Sequence, residues 1–86
     1  MVQIFFIYAD NCIHCQSALL ILESVIKDLK EIPCNILKFH YDTQAAIMIA
    51  RNNGIDDLPG IVIGKEVFVG KNYTKNKLEK AILKAK

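Results

Sequence analysis

Cys12-Ile13-His14-Cys15 stands where a nearly unbroken apolar run, Val2 to Tyr8, gives way through Ala9-Asp10-Asn11 to an amphipathic stretch. That junction constrains the chain more than any other feature. The run reads as a strand buried on both faces, and the pattern after the short polar loop reads as a helix. Two thiols three residues apart at a strand-to-helix turn are an arrangement for thiol–disulfide exchange. One thiol falls at the exposed first turn, and the other sits one turn on, within reach of it. Cys15 leads the inward line Leu19, Leu22, Ile26 beside the core line Ala18, Leu22, Val25, Leu29. Cys12 precedes the first full turn and is expected to be exposed, so the two sulfurs are not equivalent.

Length and composition narrow the classes. With 86 residues, 52% of them hydrophobic and 23% charged, the chain has room for one globular domain, residues 1–86, with one core. Three cysteines are too few and too uneven for a disulfide framework and suit a reducing compartment. Nothing before the first strand reads as an export signal, so the expected location is cytoplasmic. No apolar stretch approaches a membrane span, and a net charge of +2 gives no argument for nucleic acid. Neither partner is expected, and nothing asks for more than a monomer.

The rest of the pattern gives the order βαβαββα. The first helix is predicted from about Ile13 to Lys30. Pro33 opens a second strand, Cys34 to Tyr41, and Asp42 or Thr43 caps a helix that runs to Asn53 and stops at Gly54. Leu58-Pro59-Gly60 leads into Ile61-Val62-Ile63, and Gly64-Lys65 turns the chain into Val67-Phe68-Val69. Thr74 caps a last helix with the apolar stripe Leu78, Ala81, Ile82, Ala85. Met48, among Ala46, Ile47 and Ile49, reads as core, as does Cys34. His40 reads as structural or solvated, and Lys77, Lys80 and Lys84 read as a solvated helix face.

In this order and spacing, three matches give a chain that resembles the thioredoxin-fold oxidoreductases, in particular the minimal thioredoxin- and glutaredoxin-sized ones. They are the strand, loop and Cys12-Ile13-His14-Cys15 helix start; the helix ending Asn53-Gly54-Ile55 followed by Leu58-Pro59; and the closing hairpin Ile61 to Val69 with its terminal helix. The resemblance implies an α/β thioredoxin fold. Its mixed sheet would have four strands in the order 2-1-3-4, with helices on both faces and a right-handed crossover between the first two strands. It implies a cis proline at Pro59 facing the cysteines and a substrate strand received at Leu58. It also implies Cys12 as nucleophile and Cys15 as resolving thiol.

Helix-start N–H groups and a protonated His14 would favour a Cys12 thiolate. The residues between the cysteines, Ile13 and His14, would set redox poise, anywhere from about −270 mV for a reductant to about −120 mV for a strong oxidant. His14 also reads simply as an exposed first-turn residue. Where thioredoxins have a buried carboxylate on this strand the chain has Phe6, and where they have flanking tryptophans it has Tyr8 and Asn11, which line the site rim. Of the paired-glycine turn by which glutaredoxins hold glutathione, Gly70-Lys71-Asn72-Tyr73 keeps the first glycine.

The implied function is reduction of protein disulfides, which keeps cell redox balance, with the pair regenerated by a reductase or by glutathione. No cofactor is expected. The alternatives are a glutathione-linked electron donor and a more oxidising oxidase or isomerase tuned by His14. A further one is a metal module built on Cys12, Cys15 and a histidine, which falls short of the four ligands of structural zinc. No metal site is assigned.

Overall fold

A computed structural model describes residues 1–86. Seven elements follow in order: β1 (Val2–Tyr8), α1 (Ile13–Asp28), β2 (Cys34–His40), α2 (Gln44–Asn53), β3 (Gly60–Ile63), β4 (Glu66–Val69) and α3 (Lys75–Ala85). They form one sheet in the order β2-β1-β3-β4. β1 and β2 are parallel, joined through α1, while β1–β3 and β3–β4 are antiparallel. The order and the mixed sense agree with the sequence expectation.

The main core lies on the face covered by α1 and α3. Val2, Ile4 and Phe6 from β1 and Ile61 and Ile63 from β3 meet Ala18, Leu22 and Val25 of α1 and Leu78, Ala81 and Ile82 of α3. The even-numbered residues of β1 point to this face, as the two-residue period of a strand requires. On the opposite face Ile7 and Val62 are buried, and α2 contributes one buried residue, Ala46. The expectation that β1 is buried on both faces therefore holds only in part. Gln3 is exposed and Phe5 is half-buried, because a single ten-residue helix covers that side.

Two further expectations are corrected. Met48 is 53% exposed and Ile47 40% exposed, so neither is core. In a helix that buries one alanine, their apolar character is no guide to direction. Cys34 is half-buried, and its thiol donates to the Ile32 carbonyl at 3.4 Å. Its burial raises the thiol above its usual value.

Local chemistry sets the element ends. Thr43 caps α2 by accepting the Ala46 N–H at 3.2 Å, which settles the choice between Asp42 and Thr43. Thr74 caps α3 in the same way through Lys77 at 3.2 Å. Gly54 ends α2 in the left-handed region at φ 66°. A Gly54→Ala change is expected to cost about 1 kcal/mol, read as a lower urea midpoint at unchanged slope, since a Cβ is strained there. In the β3–β4 hairpin Gly64 has φ 58° and Lys65 does not share the positive sign, the pattern of a type II′ turn. α1 stops at Asp28, two residues short of the predicted end. Leu29 leaves helical geometry while its N–H still bonds the Val25 carbonyl at 2.9 Å.

Candidate functional site

Cys12 is the N-cap of α1. It has extended backbone geometry, and its sulfur accepts the Cys15 N–H at 3.2 Å. Its carbonyl accepts the first helical bond, from Gln16 at 3.1 Å. The sulfur therefore occupies the place where an anion is favoured by free N–H groups at a helix start. Asn11 just before it has φ 55°, the one left-handed non-glycine residue in the chain. That turn aims the loop from the end of β1 into α1.

Cys12 and Cys15 are joined as a disulfide, with Cα atoms 5.2 Å apart, within the usual range. Cys15 is 3% exposed and belongs to the main core. Cys12 is half-buried and packs against that core, a correction to the expectation that it is exposed. The inequality of the two sulfurs stands: the buried one is on the inward face of α1 and the more open one caps the helix.

The other predicted site residues fall into two groups. Tyr8 and Asn11 share a shallow groove of about 340 Å³ with Cys15, walled by Phe6, Asp10 and Lys38. The Tyr8 ring stacks on Phe6 at 6.2 Å. Leu58 lines a different and larger groove of about 480 Å³, with Ile7 and with Ala46, Ile47 and Ala50 of α2. The Leu58–Pro59 peptide is cis, and Pro59 is buried. The Pro59 carbonyl accepts the Gly70 N–H at 2.9 Å, and the Leu58 N–H donates to the Asp57 carboxylate at 2.8 Å. Ile13 is 74% exposed on the first turn of α1. His14 is exposed too, and its imidazole has no polar partner. Its backbone carbonyl accepts the Tyr73 hydroxyl at 3.2 Å, which ties the first turn of α1 to the segment before α3.

No set of three or more His, Cys, Asp or Glu side chains is placed to hold a metal ion. No helix is long and apolar enough to cross a membrane. Lys77, Lys80 and Lys84 of α3 are all exposed, as expected of a solvated helix face. Lys75 pairs with Asp28 of α1 at 2.9 Å and Lys84 with Glu66 of β4 at 3.4 Å.

One cluster near the site has no counterpart in the sequence reading. At the end of β2, His40 bonds Asp42 through Nδ1 at 2.6 Å and Asp10, in the loop before Cys12, through Nε2 at 3.2 Å. The bond to Asp42 raises the imidazole above its ordinary 6.5, partly offset by desolvation, and the bond to Asp10 adds to the rise. A cation held this way stabilises the fold fully below pH 6.5, and the contribution is lost as pH rises through the elevated value. The urea midpoint of the wild type is thus expected to fall over that window, and the fall should be absent in His40→Gln.

No protein-family model matches the sequence, and a search of curated proteins finds no match. Solved structures do match. An uncharacterised thioredoxin-like protein from Clostridium perfringens superposes with a TM-score of 0.78 at 18% identity, over 99% of this chain and 71% of that one. A thioredoxin from Malassezia sympodialis gives 0.70 at 24% identity, over 98% and 74%. The glutaredoxin-like NrdH-redoxin of Escherichia coli gives 0.61 at 14% identity, over 91% and 92%. With the strand order β2-β1-β3-β4 and three flanking helices, these likenesses establish that the chain has the thioredoxin fold, in a minimal thioredoxin-like form.

Proposed function

We propose that the chain is a thiol–disulfide oxidoreductase that reduces protein disulfides through Cys12 and Cys15. The observation that carries this reading is the Cys12–Cys15 pair itself. It is bridged, its outer sulfur caps a helix, and its inner sulfur is rooted in the core of a thioredoxin fold.

The steps balance as two exchanges. In the reduced protein the Cys12 thiolate attacks one sulfur of a substrate disulfide, forms a mixed disulfide and releases the other sulfur as a thiolate. The Cys15 thiolate then attacks Cys12, closes the intramolecular disulfide and releases the second substrate thiolate. Two electrons pass to the substrate, and either a dithiol reductase or two molecules of glutathione, leaving as glutathione disulfide, must restore the pair. Attack requires the thiolate, so Cys12 must ionise below the free value of about 8.5. Its place at the start of α1 favours the anion, and His14 adds a cation there when protonated.

Substrate recognition is assigned to the rim, with Tyr8 and Asn11 beside Cys15 and the Leu58–Pro59 backbone offering strand pairing with little demand on sequence. The Leu58 N–H is occupied by Asp57, so an incoming strand pairs with it by displacing that carboxylate. NrdH-redoxin is described as glutaredoxin-like with a thioredoxin-like activity profile, and a thioredoxin-like role in a reducing, cytoplasmic setting is the reading adopted for this chain. His14 beside the buried sulfur favours a second reading, a more oxidising couple, because a cation there stabilises the reduced thiolate.

Cys15→Ser tests the roles. It removes the resolving thiol while leaving the nucleophile, so a covalent mixed disulfide with a protein substrate is expected to accumulate on non-reducing gels and to vanish with dithiothreitol. Absence of any trapped species would contradict the assignment.

A further inference from the structure

The Asp10–His40–Asp42 cluster bridges the strand end of β2 and the loop that presents Cys12. His40 sits opposite Tyr8 in the β1–β2 register, and its ring packs edge-on against Tyr8 at 5.4 Å and tilted against Tyr41 at 5.0 Å. Its side chain is 24% exposed, whereas Asp10 and Asp42 are 82% and 66% exposed. The imidazole is therefore held between aromatic walls, with a carboxylate at each nitrogen. Both acceptors are satisfied at once only by the doubly protonated ring, because a neutral imidazole has one N–H to give. On losing a proton the ring keeps the better bond, to Asp42 at 2.6 Å. It gives up the 3.2 Å bond to Asp10 on the active-site loop.

We propose that His40 is a positioning residue that couples its own protonation, through Asp10, to the ionisation of Cys12. The inference rests on the reading of Cys12 as nucleophile. Asp10 is two residues before Cys12, and its carboxylate opposes formation of the thiolate. Protonated His40 offsets that charge and anchors the loop whose left-handed Asn11 places Cys12 at the cap. When His40 releases its proton to solvent, the cluster changes from one net negative charge to two beside the nucleophile. By reciprocity the Cys12 thiolate favours the imidazolium.

The charged groups around His40 are Asp10 in the loop after β1 and Asp42 in the loop after β2. Lys38, two residues earlier on the same face of β2, lines the groove with Asp10 and Cys15. Tyr8 and Tyr41 supply the rings. His14, on the first turn of α1, makes no hydrogen bond to the cluster.

Two substitutions break the same Asp10–His40 ion pair with opposite electrostatic consequences. His40→Gln removes the cation and leaves both carboxylates. Asp10→Asn removes the anion and leaves the cation, with an amide oxygen still able to accept from Nε2. The readout is the rate of Cys12 alkylation by iodoacetamide against pH, in a Cys15→Ser, Cys34→Ala background so that one thiol is counted. The Cys12 midpoint is expected to rise in His40→Gln and to fall in Asp10→Asn. Each change should be on the order of a few tenths of a pH unit, the scale of one charge acting across a solvated loop, and smaller in high salt.

Shifts in the same direction would mean that His40 acts only as a structural clamp. Failure of either midpoint to move would mean that cluster and thiol are uncoupled. Either result overturns the proposal. Because the readout is thiol ionisation and not turnover, it stands apart from the oxidoreductase reading, which fails if Cys12 and Cys15 do not interconvert between dithiol and disulfide.

Discussion

Replacing Cys12 with serine is expected to abolish turnover of protein disulfides while leaving the reduced protein folded. A serine hydroxyl does not ionise near neutral pH, so no nucleophile remains to open the substrate bond. Cys15 is not expected to take over: it is 3% exposed, on the inward face of α1, and offers its sulfur little open surface for attack. The fold should tolerate the change because serine is among the best N-cap residues. Its Oγ can accept the Cys15 N–H that the Cys12 sulfur accepts at 3.2 Å in the structure. Stability compared between reduced proteins is expected to agree within about 0.5 kcal/mol. The assay is insulin-type turbidity or any protein-disulfide reduction with dithiothreitol as donor. Residual activity near that of the parent would move the nucleophile elsewhere and undo the role assignment.

The largest stability effect is expected at Leu22. This side chain has no exposed surface and lies in the middle of α1, between Ala18 and Val25, in the core shared by β1, β3 and α3. Leu22→Ala removes three carbons and leaves a cavity lined by a sheet on one side and α3 on the other, with little freedom to collapse. The expected cost is about 2–5 kcal/mol. A domain of this kind has about 5–15 kcal/mol in total, so a large share of the protein's stability is at stake. Helix propensity is not the cause, since alanine is the better helix former. Leu20→Ala is the matched control: Leu20 is on the same helix and 68% exposed, and should move stability by no more than about 0.5 kcal/mol. Urea midpoints at unchanged slope measure both. Equal effects at the two positions would contradict the burial of Leu22.

The strands and helices were legible because each carries its own punctuation. Thr43 and Thr74 cap, Gly54 ends a helix, Gly64 turns a hairpin, and the periods of α1 and α3 match their buried lines. What escaped depends on partners far away in sequence. Met48 reads as core by composition, yet α2 lies over a face it covers only thinly, so direction could not be inferred from apolar character. His40 looked unremarkable because its second carboxylate, Asp10, is thirty residues away on the neighbouring parallel strand's loop. A histidine at the end of a strand predicted to lie parallel to one whose exit loop carries Asp10 was the available signal. Tyr73 reaches the His14 carbonyl across fifty-nine residues, with no local pattern to announce it. The half-burial of Cys12 comes from its packing against the main core, a contact that a helix start at Ile13 does not announce.

The most direct test of the account is a redox titration of the Cys12–Cys15 couple in glutathione buffers, in a Cys34→Ala background, with intact mass as readout. The account predicts a reversible change of two hydrogens as the pair passes between dithiol and disulfide. Its midpoint should lie near the thioredoxin value of about −270 mV for the proposed reductase. A midpoint toward about −120 mV would keep the exchange chemistry but contradict the reductive direction. Failure to form the intramolecular disulfide in oxidising buffer would contradict the central claim.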